Sequence, residues 1–469
     1  MPDAVVIGAG PNGLAAAITL ARAGRSVIVY EAAPTPGGGC RSAKLTEPGY
    51  IHDVCAAVHA LGVSSPFFRT APLSSFGLEW CHPEIALAHP LDNGRSVVAT
   101  QPLATTIEML GSDSARYRRL LAPLVRNFEA LADSVMAPVL RAPRHPYVLG
   151  RFGIPALTSA RWMGARLGPD AGALFAGSAA HAIMPLEHPL TSSFGLMLLS
   201  SAHAVGWPVA RGGSQSVIDA MVAYLRSLGG EVECNRPVRS LADLPASSVV
   251  MADTTPAALA RIAGDRVPSR FRARATRFRH GPGVFKIDYA LDGPVPWTNE
   301  LCRRAGTVHV GGTLDEIAAS ERAMWGGEHS ERPFVLVAQP SVADPTRAPS
   351  GKHTLWAYCH VPAGSSLDRT AAIEAQIERF APGFRDVVRT RHVTDSLALA
   401  QYNANNVGGD IAGGAYSTRQ LIARGTGLRP YRTGEPSVVL CSASTPPGAG
   451  VHGMCGVHAA NLVLRTVLR

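Results

Sequence analysis

The chain has 469 residues, 46% of them hydrophobic and 17% charged, with a formal net charge of +9. This composition excludes a disordered or fibrous protein. The chain is longer than a single hydrophobic core usually supports, so two intertwined domains are expected. Only three of the 44 basic residues are lysines (Lys44, Lys286 and Lys352), which indicates a composition bias, and no nucleic-acid-binding motif accompanies the charge.

The termini and the cysteines bear on the compartment and on metals. The first apolar run begins at residue 4, which leaves no room for a signal peptide, and no apolar run is long enough to span a membrane. The eight cysteines contain no C-x-x-C pair, and His and Cys never fall at zinc spacing. We therefore expect a cytoplasmic protein with reduced cysteines and no metal site.

The first 31 residues predict a dinucleotide-binding unit. An apolar run over residues 4–7 leads into a G-x-G-x-x-G turn and an alanine-rich helix, and a second apolar run ends on an acid. This order is typical of a strand, a phosphate loop, a helix and a strand, in which the acid accepts from a ribose hydroxyl. The helix N-terminus would face the phosphates. The predicted binding residues are Gly8, Gly10, Pro11, Asn12, Gly13 and Glu31.

A second glycine turn follows the acid, with Gly38 and Gly39 before Arg41. A guanidinium there can supply charge and a forked donor beside a pyrophosphate. Here the chain resembles the FAD-dependent amine oxidase and phytoene desaturase superfamily, so the resemblance implies FAD as the cofactor. It also implies a backbone contact from Val238 to the adenine. At the other end it implies a loop and helix start against the flavin ring, formed by Gly450, Val451, His452, Gly453 and Met454.

Four further segments narrow the resemblance. Residues 207–213, 281–286, 311–313 and 403–410 look like those of the phytoene desaturase-related NAD(P)/FAD-dependent oxidoreductases of bacteria. The segments spread along nearly the whole chain, but the family has few assigned substrates. The resemblance therefore implies flavin-dependent redox chemistry more securely than it implies a particular substrate and product.

The predicted fold is α/β, with a discontinuous Rossmann-like FAD-binding domain, a mixed-sheet substrate domain and a helical lid. We expect the FAD-binding domain to comprise residues 1–100, 212–265 and 426–469. Residues 101–211, which look mostly helical, and residues 266–425, which alternate short strands and helices, would form the substrate-binding part.

Four histidines are the candidate catalytic groups, because a neutral imidazole can act as a base or orient a polar group of a substrate. His59 and His452 are expected near the flavin, and His181 and His203 are expected on lid helices along a substrate channel. A structural role for each of them stays open. Hydride transfer to a flavin requires no fixed triad, and the sequence shows none.

The expected function is FAD-dependent removal of hydride from a lipophilic or medium-sized organic substrate, with a desaturase-like dehydrogenation first. An amine oxidase stays open, although the last hundred residues offer no telling aromatic pair among Phe380, Phe384, Tyr402, Tyr416 and Tyr431. A redox-neutral isomerase and a non-enzymatic lipid carrier stay open as well. Only one nucleotide fingerprint is present, so we expect the electron acceptor to be oxygen, a quinone or an electron carrier rather than NAD(P).

The densest basic stretch, residues 266–280, has three interpretations. As a helix it would place Arg270, Arg274 and Arg277 on one face, which suits a solvated surface, an anionic membrane or, least of all, nucleic acid. Peripheral membrane contact is retained because relatives of the desaturase type collect lipophilic substrates from bilayers. The expected partners are thus a small lipophilic molecule and a membrane surface, without nucleic acid.

Overall fold

The computed structural model of the chain describes residues 1–139 and 141–469. Its strands are Ala4–Ile7, Val27–Tyr30, Ser42–Ala43, His52–Asp53, Trp80–Cys81, Ile85–Pro90, Ser96–Ala99, Val209–Ala210, Glu231–Glu233, Val249–Ala252, Gly283–Leu291, Ala305–Val310, Val335–Ala338, His353–Val361, Val388–Thr394 and Val438–Leu440. Its α-helices are Pro11–Arg22, Ala60–Ser64, Pro66–Thr70, Leu103–Met109, Ser114–Arg126, Phe128–Val135, Pro146–Ala156, Ala160–Leu167, Pro169–Ala179, Ser192–Ala204, Gln215–Ser227, Pro256–Ala263, Ser269–Thr276, Glu300–Arg303, Leu314–Trp325, Pro340–Ala343, Thr370–Phe380, Phe384–Val387, Ser396–Tyr402, Thr418–Ile422 and Met454–Thr466.

Five short parallel strands form the sheet that we call the nucleotide sheet. Its strands are apolar and β-branched where they are buried on both faces, as parallel sheets require. Three distant sections of the chain supply them, and their spatial order is Val438–Leu440, Val249–Ala252, Ala4–Ile7, Val27–Tyr30 and Glu231–Glu233. The helices Pro11–Arg22 and Met454–Thr466 pack against each other beside this sheet.

A second sheet has seven strands and is mixed. All neighbours in it are antiparallel except Ile85–Pro90 and Ala305–Val310, which run parallel. Its order is Val388–Thr394, Gly283–Leu291, His353–Val361, Val335–Ala338, Ala305–Val310, Ile85–Pro90 and Ser96–Ala99. Together with the nucleotide sheet, it confirms the predicted α/β fold.

One predicted boundary differs from the structure. The sequence placed all of residues 1–100 in the FAD-binding domain, but Ile85–Pro90 and Ser96–Ala99 pair within the seven-stranded sheet. We therefore propose that the first section of the FAD-binding domain ends before Ile85. A buried strand of either sheet shows the same apolar pattern, so the pattern alone cannot assign it.

Helices dominate residues 103–204 and pack mainly on one another. Helix Pro169–Ala179 is buried along its length from Ala171 and lies between helices Ala160–Leu167 and Ser192–Ala204. Within the described part of the chain, the helices are all too short or too polar to cross a bilayer.

Candidate active site

One large cavity of about 1500 Å³ lies where the two sheets and the helical section meet. Ile7, Tyr30, Asp253 and Ser442 line it at or just beyond the carboxyl ends of four strands of the nucleotide sheet. Ligands of open α/β sheets bind at this edge. Typical small-molecule pockets measure about 300–1,000 Å³, so this cavity has room for a dinucleotide together with a substrate.

The phosphate loop forms one end of the cavity, between strand Ala4–Ile7 and helix Pro11–Arg22. A Cβ atom on Gly13 would lie 2.0 Å from the carbonyl oxygen of Gly8, so only glycine allows the helix to approach this closely. Gly13 itself does not line the cavity. The other predicted residues of this end do: Gly8, Gly10, Pro11, Asn12, Glu31, Gly38, Gly39, Arg41 and Val238.

Glu31 is held in place by three donors. The backbone N–H groups of Ala9 and Ala33 donate to its two carboxylate oxygens at 2.8 and 2.9 Å, and Arg41 Nη2 donates at 3.3 Å. A carboxylate has about four lone-pair positions, so Glu31 retains capacity to accept from a ribose hydroxyl.

Arg41 is fixed by carbonyl groups as well as by Glu31. Its Nε and Nη2 donate to the carbonyl oxygen of Thr35 at 3.1 and 2.8 Å, and its guanidinium lies 5.5 Å from the centre of the Tyr402 ring. Nη1 makes no hydrogen bond to the residues that the structure describes. The arginine is thus oriented before any ligand arrives, with one nitrogen left for an anion.

Asp253 is a carboxylic acid beneath the phosphate loop that the sequence did not identify as functional. It follows strand Val249–Ala252, lines the cavity, and accepts from the N–H of Gly13 at 3.0 Å. Asn405 Nδ2 donates to its backbone carbonyl at 3.0 Å. Burial, with a smaller contribution from the nearby charge of Glu31, raises the pKa of Asp253 to about 7 against the hydrogen bond from Gly13.

The C-terminal loop places Gly450, Val451 and His452 on the cavity wall. Gly453 and Met454 do not line the cavity; Gly453 caps the helix that Met454 begins. The N–H of Met454 donates to His452 Nδ1 at 3.0 Å, so His452 carries its proton on Nε2. Burial lowers the pKa of His452 to about 4, which keeps the imidazole neutral.

His59 lines the cavity in a defined tautomer. The Ser214 hydroxyl donates its proton to the carbonyl oxygen of Ala56 at 2.6 Å. Ser214 Oγ therefore acts as the acceptor in its 2.9 Å contact with His59 Nε2. The proton therefore resides on Nε2, and Nδ1 keeps a lone pair with no partner among the described residues. Burial lowers the pKa of His59 to about 4.

The two remaining candidate histidines lie in different environments. His181 lines the cavity beside Trp207, with 5.9 Å between ring centres. His203 does not line it, which corrects the prediction. Its Nε2 bonds Tyr117 Oη and its Nδ1 bonds the carbonyl oxygen of Thr100, both at 2.7 Å. Both nitrogens are occupied inside the helical section, so His203 is structural.

A buried ionic cluster behind the cavity wall was not predicted from the sequence. Lys286 pairs with Asp288 on the same strand, and its ammonium lies 5.7 Å from the centre of the Trp356 ring, which lines the cavity. Burial raises the pKa of Asp288 to about 6 even though Lys286 opposes the shift. One signal was available in the sequence: Lys286 and Asp288 interrupt the otherwise apolar run of residues 283–291, which forms a buried strand.

The end of the cavity away from the phosphate loop, here called the lid end, is apolar. The helical section and the seven-stranded sheet both contribute to its wall, through Met136, Leu149, Phe152, Ile183, Phe194, Met197, Leu198, Trp207, Leu336, Trp356 and Tyr358. Across the described residues, Glu31 and Asp253 are the only carboxylates on the wall of the whole cavity, and both lie at the phosphate loop.

Comparison with known proteins gives concordant matches. A family model described as flavin containing amine oxidoreductase matches residues 156–464, and one described as NAD(P)-binding Rossmann-like domain matches residues 6–70. Pyridine nucleotide-disulfide oxidoreductase domain-containing protein 2 of Rattus norvegicus is 26% identical over 99% of this chain and 93% of its own length. Phytoene desaturase (neurosporene-forming) of Rhodobacter capsulatus is 24% identical over 97% of this chain and 92% of its own.

Solved structures show the same fold at lower identity. Putrescine oxidase bound to putrescine is 18% identical with a TM-score of 0.65, covering 100% of this chain and 99% of its own. Cyclohexylamine oxidase from Brevibacterium oxydans is 16% identical with a TM-score of 0.60, covering 100% of both chains. At such identities the likeness concerns the fold alone.

The residues of the cavity fit FAD, the cofactor that the match to the flavin-containing family supports. The phosphate loop keeps its tight turn only because Gly13 has no Cβ to meet the carbonyl oxygen of Gly8, and the loop ends on a helix N-terminus that favours anions. Glu31 would accept from the ribose, Arg41 would face the pyrophosphate, and the loop at Gly450–His452 would meet the flavin ring.

FAD affinity should depend on pH through Asp253. An ionised carboxylate beside the phosphate loop repels a pyrophosphate, so binding should favour protonated Asp253, whose pKa is about 7. We expect the dissociation constant for FAD to rise several-fold from pH 6 to pH 8.5, by at most about tenfold per pH unit for one linked proton. In Asp253→Asn, which keeps an acceptor for Gly13, flavin fluorescence titrations should show a flat profile. Equal slopes in both proteins would contradict the coupling.

Proposed function

Since this chain belongs to the flavin-containing amine oxidoreductase family, we propose that it dehydrogenates a neutral, lipophilic or medium-sized organic substrate, with carbon–carbon desaturation as the first candidate reaction. The family match confirms the superfamily predicted from the sequence, and with it an FAD-dependent oxidoreductase. The substrate class is the part that we propose.

The observation that carries the proposal is the charge distribution along the cavity. An amine substrate is a cation at neutral pH, and burying an unpaired cation is costly. The lid end offers no carboxylate among the described residues, since Glu31 and Asp253 both lie at the phosphate loop. An apolar wall instead favours a neutral molecule, through the burial of apolar surface.

Two tyrosine rings on the cavity wall also argue against an amine substrate. Tyr402 and Tyr416 both line the cavity, and each ring already has a guanidinium against it. Arg41 lies 5.5 Å from the centre of Tyr402, and Arg424 lies 4.5 Å from the centre of Tyr416. A substrate ammonium would have to compete with these cations for the ring faces.

Desaturation of a neutral substrate requires the loss of a hydride and a proton from adjacent carbons. Bound FAD supplies the acceptor for the hydride. The apolar lid end would hold the substrate and exclude water from the reacting carbons. His59 Nδ1, whose lone pair has no partner among the described residues, is our candidate for taking up the proton once its buried ring turns toward the cavity. His452 Nε2–H is a donor that can orient a polar group.

Anaerobic bleaching of the flavin absorbance tests the substrate class. The purified protein, whose heat-released flavin is first identified as FAD, is mixed with neutral lipophilic alkenes and alcohols and with primary amines of similar size. We expect bleaching by members of the neutral set alone. Introducing Met197→Glu at the lid end should weaken the response to neutral compounds, because it buries a carboxylate in the apolar wall.

Three contrary outcomes would each replace the proposal. Bleaching by amines alone would make the protein an amine oxidase. Conversion of a neutral compound with no net bleaching and no electron acceptor would indicate a redox-neutral isomerase. A colourless protein that takes up no FAD would support a lipid carrier.

A further inference from the structure

The apolar wall of the lid end contains polar atoms that have no hydrogen-bond partner. Thr307 and Trp356 line the cavity and are almost fully buried, at 1% and 7% exposure. The hydroxyl of Thr307 and the indole N–H of Trp356 make no hydrogen bond to the described residues. Buried polar groups of proteins are nearly always hydrogen-bonded, because an unmade bond costs free energy. These two atoms are therefore suited to a polar group of a ligand.

The register of the seven-stranded sheet brings these side chains to one face. Thr307 pairs with Ala338, and Ala338 pairs with Trp356 on the next strand, so only one small side chain separates them across the sheet. Tyr358 lies two residues after Trp356 and therefore points to the same face. It also lines the cavity, with 5.0 Å between its ring centre and that of Trp356. The hydroxyl of Tyr358 makes no hydrogen bond to the described residues.

His181 faces the same strands from the helical section. Its ring centre lies 5.1 Å from that of His309, which is in the same row of the sheet as Leu336 and Tyr358. The Nδ1 atom of His181 is buried without a partner among the described residues. Burial, with a smaller contribution from nearby His360, lowers the pKa of His181 to about 3. The imidazole is therefore neutral, with one donor and one acceptor.

The charges around these four side chains favour a neutral ligand. Burial, with a smaller contribution from the charge of Glu321, raises the pKa of Tyr358, so its hydroxyl keeps its proton. Glu321 is fully buried behind the wall and bonds His360 Nδ1 at 2.8 Å. An anionic ligand would face the charge of Glu321. A cationic ligand would find no carboxylate on this part of the described wall.

We propose that Thr307, Trp356, Tyr358 and His181, here called the oxygen site, bind one hydroxyl or carbonyl oxygen of the lipophilic substrate. The inference rests on the proposed function and narrows its substrate class to molecules such as alcohols and ketones. A carbonyl oxygen has two lone pairs, which can accept from Trp356 Nε1 and Tyr358 Oη. A hydroxyl group can also donate to Thr307 Oγ1. On an otherwise apolar wall, a few such contacts fix the orientation of a ligand.

The infrared spectrum of bound cyclooctanone tests the oxygen site directly. In the FAD-loaded wild type, we expect the carbonyl stretch of the bound ketone at a lower wavenumber than in hexane, because hydrogen bonds to the oxygen weaken the C=O bond. In Tyr358→Phe the stretch should return part of the way towards its position in hexane. A stretch at the hexane position in the wild type would overturn the oxygen site. This measurement decides the question even where a variant misfolds.

Matched ligands that differ by one oxygen separate hydrogen bonding from packing. Binding of cyclooctanol and of cyclooctane is followed by tryptophan fluorescence, since Trp207 and Trp356 both line the cavity. Thr307→Val and Tyr358→Phe keep the shape of the wall, so each should weaken cyclooctanol binding by about five- to tenfold and leave cyclooctane binding unchanged. The control is Ser193→Ala. Ser193 lines the cavity, but its hydroxyl already donates to the carbonyl oxygen of Leu190 at 2.6 Å. This variant should bind both ligands like the wild type.

Equal losses of cyclooctanol and cyclooctane binding in Thr307→Val and Tyr358→Phe would assign their effect to packing and overturn the oxygen site. Flavin content is measured on every variant. Flavin bleaching distinguishes this inference from the proposed function. Oxygen-dependent binding without bleaching by any neutral compound would support the oxygen site and contradict the proposed function. Bleaching by neutral compounds, with the bound ketone at its hexane wavenumber, would contradict the oxygen site alone.

Discussion

Gly456→Ala is expected to cost about 3 kcal/mol of stability and to weaken FAD binding at least about tenfold. Gly456 lies on helix Met454–Thr466, where that helix crosses helix Pro11–Arg22. A Cβ atom there would lie 1.9 Å from the carbonyl oxygen of Asn12 and 2.8 Å from the amide nitrogen of Ala16. Both are backbone atoms that cannot rotate away, so the helices must separate. Because Asn12 lines the nucleotide end of the cavity, the separation would distort the FAD site as well. Urea unfolding and FAD titration measure the two effects.

Gly150→Ala is the matched control for this substitution. Gly150 also lies inside a helix, Pro146–Ala156, but no atom lies within 4 Å of the Cβ it would gain. Alanine there should stabilise the protein by about 0.5–1 kcal/mol, through the smaller backbone entropy of the unfolded chain. Similar changes in both variants would show that the helix crossing tolerates a methyl group, against our expectation.

The nucleotide end could be predicted from sequence because its signals are local. The phosphate loop, the helix and the acid at Glu31 follow one another within 31 residues, and each residue type has its own physical requirement. The glycine at position 13 is an example, since the loop and helix that demand it are its immediate neighbours along the chain. The α/β fold follows from the same patterns repeated further along.

Contacts between distant segments could not be predicted, because the signals in the sequence are local. Asp253 meets Gly13 across 240 residues, and no pattern around Asp253 shows that contact. Strand Ile85–Pro90 is buried throughout and pairs with Ala305–Val310, so its assignment to a sheet depends on a partner more than 200 residues away. His203 was misplaced similarly, because helical periodicity cannot distinguish a cavity wall from the helical core.

Breaking the ionic contacts of Arg347 should have the largest effect of all. Arg347 is fully buried, donates to Asp53 at 2.6 Å, and lies 3.3 Å from Asp344. Asp53 in turn accepts from the N–H of Ser214, the residue whose hydroxyl orients His59. Arg347→Met would leave two carboxylates buried without their cation, at a cost of about 3–5 kcal/mol. Thermal and urea unfolding should show the loss, and His59 should lose its fixed orientation.

The pH dependence of that loss separates the electrostatic cause from a packing defect. Burial alone would raise the pKa of Asp53, but Arg347, together with the hydrogen bonds from Ser214 and Ser42, holds it below its usual value. In the wild type, this contribution to stability is present above the unfolded pKa and is lost as the pH falls through the folded one. In Arg347→Met the pKa of Asp53 should rise, so protonation at acid pH should relieve part of the penalty, and the two unfolding curves should converge there. Arg304→Met, which breaks an exposed pair with Glu84, should cost at most about 1 kcal/mol. A loss in Arg347→Met that stays constant with pH would assign the role of Arg347 to packing.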